Sequence, residues 1–202
     1  DNILNLKLLS KLELEQQINW KLSKITALFT YHPETLSNNN LKSDLDSILN
    51  ILEESSLNVI FTYSNADSGG VFINQMLEEF CVKNPNRFKV FKNLGQLNYL
   101  SSMKHVNLLI GNSSSGIIEA ASFAKPVINL GNRQSGRIKG INVIDSEING
   151  LKKSICLALS PDFSLKCQNI RNIYGSGKAA KKIVNLLAKE TLSVKKFFKD
   201  IK

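Results

Sequence analysis

Residues 108–137, LLIGNSSSGIIEAASFAKPVINLGNRQSGR, decide how the chain is read. An uninterrupted apolar run ends in Gly-Asn and three serines. A glycine follows, then a short helical pattern carrying one acid, then Lys-Pro, a second apolar run and a basic, glycine-containing loop. Apolar runs without alternation are what strands buried on both faces require. A helix between two such strands is the repeating unit of a parallel sheet.

The same unit recurs on both sides of this stretch. Upstream, ITALFTYH, NVIFTYS and RFKVFKN read as strands, separated by the helical patterns LKSDLDSILNILEES and VFINQMLEEFCVK. GQLNYLSSMKH reads as the helix before the quoted stretch, and INVID as a short strand after it. The expected fold is a doubly wound parallel α/β sheet of Rossmann-like type. NLKLLSKLELEQQINWKL, with leucines at helical spacing, reads as one amphipathic leading helix. Asn-rich residues 37–40 are expected to cap the next helix, and Asp67 or Ser68 the one after NVIFTYS. The expected division is a leading or crossover helix over 1–24, a nucleotide-binding domain over 25–190 and a helical tail over 191–202.

Composition narrows the class. The 202 residues are 43% hydrophobic, enough for a packed core. No apolar run approaches the roughly 18–20 residues of a membrane span. The start lacks a signal-peptide pattern and an initiator Met, which points to a piece of a longer protein. Cys81, Cys156 and Cys167 are dispersed without CxxC spacing, as expected of reduced thiols in a cytoplasmic protein, and no metal site is expected. The net charge is +9, but many lysines alternate with apolar residues near the C-terminus and read as a solvated helix face. Neither nucleic acid nor membrane is an expected partner.

In an open parallel sheet, ligands bind outside the carboxyl ends of the strands. YHPET, NADSGG and GNSSSG all fall there, joined by NRQSGR. A helix beginning just after the serines offers unpaired backbone N–H groups to an anion such as phosphate. Serine hydroxyls add donors, and Gly116 allows close approach. Glu119 suits neutral hydroxyls such as those of a ribose, and Arg133 suits phosphate charge. The set fits a nucleoside diphosphate. Each member also has a plainer reading, since serine is a common N-cap and acids favour helix starts. His32 is held at a strand tip ahead of Pro33, where it can bond a phosphate, move a proton or simply bond a carbonyl. Turn chemistry suffices for Glu34 and Asp67, and capping for His105. Leu94 and Gly95 stand where a flat base could rest.

Taken together, YHPET, NADSGG and IGNSSSGIIEAASFAKPVINLGNRQSGR resemble the UDP-N-acetylglucosamine 2-epimerase family, and its hydrolysing branch above all. The resemblance covers most of residues 30–145. It implies the C-terminal half of a two-domain, glycosyltransferase-B-like fold whose active site lies between the halves. It implies that Ser113 and Ser114 bind the phosphates of UDP, Glu119 the ribose and Arg133 the diphosphate. It further implies that His32 is an active-site histidine and that Leu94 offers backbone contact to uracil. Asp1 would end a truncated acidic family motif. The implied reaction eliminates UDP across C1–C2 of the sugar and then adds water with inversion at C2, with no cofactor. The main acid/base carboxylates would belong to the absent N-terminal half, so the chain alone is expected to bind UDP without turnover. A UDP-sugar, the N-terminal domain and further copies of the full-length protein are the expected partners.

Three alternatives stay open at this point. The sugar can be the 2,4-diacetamido-2,4,6-trideoxyhexose of legionaminic acid synthesis. The chain can be the donor-binding domain of a glycosyltransferase of the same architecture, although NLGNRQSGR favours the epimerase. Least favoured is a nucleic-acid module working through the basic tail.

Overall fold

The computed structural model describes residues 1–22, 25–34, 41–66 and 68–190. Strands β1 (Thr26–Thr30), β2 (Asn58–Thr62), β3 (Phe88–Phe91), β4 (Leu108–Gly111), β5 (Val127–Leu130) and β6 (Val143–Ser146) form one six-stranded sheet. Its order is β3-β2-β1-β4-β5-β6, and every neighbouring pair is parallel. This is the doubly wound, Rossmann-like arrangement that the apolar runs predict. The chain leaves β3 at one edge and returns to β4 beside β1. The β1/β4 boundary is therefore the switch point at which such sheets open a crevice.

Alternate side chains of each central strand enter opposite cores, which explains the unbroken apolar runs. Ala27, Phe29, Val59, Phe61, Leu108 and Ile110 face one cluster, while Leu28, Ile60 and Leu109 face the other. The first is covered by α3 (Leu41–Glu54), α4 (Ser68–Lys83) and α7 (Leu151–Ala158). In α3, Leu45, Ile48, Leu49 and Leu52 are buried, the i, i+3, i+4, i+7 stripe of a helix facing a sheet. The second is covered by α2 (Lys11–Ile18) and α5 (Gly95–His105), through Leu14, Ile18 and Met103. Phe61 meets Phe29 edge-on at 5.2 Å and lies 6.1 Å from Phe88.

Two expectations need correction. The leading helix is two helices, α1 (Asn2–Asn5) and α2, with an extended break at Leu6. Ser10 and Glu13 form a reciprocal capping box that starts α2 afresh, and the Leu9 amide is drawn away to Ser101 Oγ (3.1 Å). The helix after the serines is likewise divided. α6 (Ser114–Ile118) tightens at Glu119 into a 3-10 turn over Ala120–Phe123. The lysines of α9 (Ala179–Leu187) are exposed, as expected of a solvated face, and the apolar Ile183, Val184, Leu186 and Leu187 are exposed there too. A short α8 (Pro161–Gln168) precedes it. The expected caps at 37–40 and Asp67, and the tail at 191–202, lie outside the described residues. Among the described residues, no helix is long and apolar enough to cross a membrane, and no group of histidine, cysteine and acidic side chains could hold a metal ion.

Candidate functional site

The polar loops following β1, β2, β4 and β5 converge at the carboxyl edge around the switch point. Gly111 ends β4 opposite Thr30 of β1 at φ +131°. A Cβ there would stand 1.9 Å from the Thr30 carbonyl oxygen, so only glycine lets the two strand ends close on each other. The next residue, Asn112, is fully buried and donates its amide N–H to Thr30 O (3.1 Å).

The Asn112 side chain then pairs with a peptide unit across the switch point. His32 N–H donates to Asn112 Oδ1 (2.7 Å), and Asn112 Nδ2 donates to the His32 carbonyl (2.8 Å). The Asn112 carbonyl accepts from Arg133 Nη1 (3.1 Å) and from Gln134 Nε2 (2.8 Å). One residue thus touches the loops after β1, β4 and β5. His32 Nδ1 lies 3.1 Å from Ser64 Oγ, in the loop after β2. Glu34 Oε1 accepts from the Asn132 and Arg133 amides (2.9 and 3.1 Å), drawing the loop after β5 toward β1.

Ser113 is the N-cap of α6, its Oγ accepting from Ser115 N–H (3.4 Å). Ser114 opens the helix and is half-buried. The Ser115 hydroxyl bonds Tyr99 of α5 and lies 3.2 Å from Ser113 Oγ. Gly116 is buried, and a Cβ on it would stand 3.0 Å from Val127 Cγ1, so this glycine lets α6 pack on β5. Glu119 closes the five-residue α6 instead of standing in its first turn. Burial holds its carboxyl above the ordinary carboxylate range, and the nearby Tyr99 phenol is likewise pushed up by burial.

Of the residues singled out from sequence, the structure brings His32, Ser113, Ser114 and Arg133 to one edge. Leu94 stands apart, with its side chain in the second core and its backbone at the start of α5. Gly95 follows it at φ +65° with open space beside it. His105 ends α5 with Nε2 2.8 Å from the Leu9 carbonyl, a structural tether. Asp1 accepts from the Ala179 and Ala180 amides (3.1 and 2.6 Å), capping α9. Sequence reasoning missed Asn112, Ser64, Tyr99 and Gln134. The available signal for Asn112 was an amide side chain placed directly after an apolar strand and before an N-cap.

A match to known proteins follows the same outline. The family described as UDP-N-acetylglucosamine 2-epimerase matches residues 1–188. The GDP/UDP-N,N'-diacetylbacillosamine 2-epimerase (hydrolyzing) of Campylobacter jejuni is 43% identical over 162 residues, which are 80% of this chain and 42% of the relative. The UDP-GlcNAc 2-epimerase from Neisseria meningitidis bound to UDP-GlcNAc superposes with a TM-score of 0.63 at 20% identity, over 89% of this chain and 48% of that one. The C-terminal domain of a glycosyl transferase group 1 family protein from Francisella tularensis superposes with a TM-score of 0.52 at 9% identity, over 82% of this chain and 89% of that domain. At such identities the structural likeness speaks for the fold alone. The chain spans about half the length of the curated relatives it matches. By the family match over residues 1–188, the chain belongs to the UDP-N-acetylglucosamine 2-epimerase family.

Proposed function

We propose that this chain is the nucleotide-binding half of a hydrolysing UDP-sugar 2-epimerase. The observation that carries the reading is the junction at Asn112, which ties His32 and Arg133 to the Ser113 cap at the switch point. Ser113 and Ser114 hydroxyls and the first amides of α6 meet the phosphates of UDP, and Gly116 keeps that turn packed close on the sheet. Arg133 adds a charge-assisted bond to the diphosphate. Glu119 accepts from the ribose hydroxyls, and the Leu94 backbone faces the uracil.

In the reaction, a base removes the C2 proton of the sugar while the C1–O bond breaks. UDP departs with that electron pair. Negative charge grows on the departing phosphate oxygen, where Ser113, Ser114 and Arg133 can stabilise it without reorganising. His32 bonds the phosphate and assists proton transfer. Water then adds across the C1–C2 double bond, with hydroxyl at C1 and a proton at C2 on the opposite face. The base belongs to the half of the protein outside this chain, whose two halves form a glycosyltransferase-B-like cleft.

Of the two sugars weighed from sequence, the diacetamido one is favoured by the name of the 43% identical Campylobacter jejuni relative. The N-acetylglucosamine substrate is the second reading. Both serve the synthesis of nonulosonic acids of the sialic acid type. Three free cysteines suit a reducing cytoplasm, and the full-length enzyme is a homo-oligomer in this reading. Calorimetric titration of this chain with UDP tests the site. Ser114→Ala and Glu119→Ala should each weaken binding several-fold. Equal affinity in all three proteins would remove the site.

A further inference from the structure

We propose that Asn112 is a positioning residue that acts on the nucleotide through His32. The inference rests on the reading of the serine turn as the UDP site and adds to it the part that sets its spacing. His32 follows β1 and Ser113 follows β4, so no covalent constraint fixes their separation. The Asn112 side chain supplies one. Its two bonds to the His32 peptide, at 2.7 and 2.8 Å, imitate one rung of a strand pair beyond the point where β1 and β4 cease to pair. The amide orientation is dictated by the partners, because the His32 N–H can only donate and its carbonyl can only accept.

The anchor is itself immobile. Asn112 is fully buried, its own N–H is bonded to Thr30, and its carbonyl takes two side-chain donors. The imidazole is held a second time by Ser64 Oγ at 3.1 Å. Backbone and ring are therefore held by different partners, Asn112 after β4 and Ser64 after β2, which limits the freedom His32 has to lose on binding. Aspartate cannot replace Asn112 here, since a carboxylate has no donor for the His32 carbonyl and adds negative charge next to a phosphate site.

A double-mutant cycle on UDP affinity, measured by calorimetry on the 202-residue chain at a temperature where circular dichroism shows each variant folded, tests this. Asn112→Ala should weaken UDP binding roughly tenfold in the wild-type background and less than about twofold in a His32→Ala background. If alanine unfolds the chain, Asn112→Ser, which leaves room for a bridging water, carries the same cycle. A general structural role would lower affinity equally in both backgrounds, and that result overturns the positioning role while leaving the UDP site intact. Failure of the wild-type chain to bind UDP, or a His32→Ala affinity equal to wild type, overturns the site reading and the positioning role with it.

Discussion

Gly111→Ala is the sharpest structural perturbation the switch point offers, with Gly95→Ala as its control. Both glycines have positive φ, +131° and +65°. At Gly95 a Cβ would meet nothing within 4 Å, so alanine there bears only the left-handed backbone penalty, about 1–2 kcal/mol. At Gly111 the Cβ would stand 1.9 Å from Thr30 O and 2.7 Å from Thr30 C. Those atoms belong to the backbone of a central strand, so no side-chain rotation relieves the overlap. The end of β4 must part from β1, which breaks the Asn112 N–H bond to Thr30 and shifts the Asn112 pair with His32. Two or three buried hydrogen bonds at about 1–3 kcal/mol each, added to the backbone strain, give a cost of about 4 kcal/mol or more. That is a large share of the 5–15 kcal/mol typical of a domain. Urea unfolding followed by circular dichroism separates the two variants. A Gly111→Ala unfolding free energy within about 1 kcal/mol of that of Gly95→Ala would refute the close approach of β4 and β1.

Further outcomes are expected elsewhere in the site and core. Burial raises the Glu119 carboxyl, so its folded-state value lies above the unfolded one. The stability this group contributes is fully present below the unfolded value and is lost as pH rises through the folded value. Glu119→Gln should therefore raise the urea midpoint at about pH 7, with the gap closing toward about pH 4, while UDP affinity falls; an unchanged midpoint at both pH values would contradict the burial cost. Tyr99→Phe removes the hydroxyl that bonds Ser115 and keeps the ring, for a loss of about 1 kcal/mol in the same assay; no loss would show the bond contributes nothing. In the folded chain, a thiol reagent should label exposed Cys156 quickly. Cys81, buried and pushed up to about 12, and Cys167, also raised by burial, should react only as the chain unfolds; rapid labelling of all three would contradict the core packing.

The sheet was legible because its strands are apolar on both faces. Leu28 and Phe29, neighbours in sequence, enter opposite cores, and no amphipathic alternation competes with that reading. Helix ends were less legible. Leucine spacing runs straight through Ser10, and only the Ser10–Glu13 pair marks the break that the capping box makes. At the serine turn the N-cap could be read, but the tightening at Glu119 depends on how the chain must turn to reach β5. The site's chemistry-bearing side chains were visible as types in loops. What joins them was not, because Asn112 works on a residue eighty positions away in the chain. The exposure of the apolar residues of α9 was not legible, because periodicity reports which residues share a face and says nothing of what covers it.

The most direct measurement is an amide chemical-shift map of the isotopically labelled chain titrated with UDP. A uridine diphosphate lodged at the switch point should give saturable shifts at Ser113–Ser115, Glu119, His32 and Arg133, and leave β6 and α9 unmoved. Shifts confined to other edges of the sheet, or none at millimolar UDP, would contradict the assignment of this crevice as the nucleotide site.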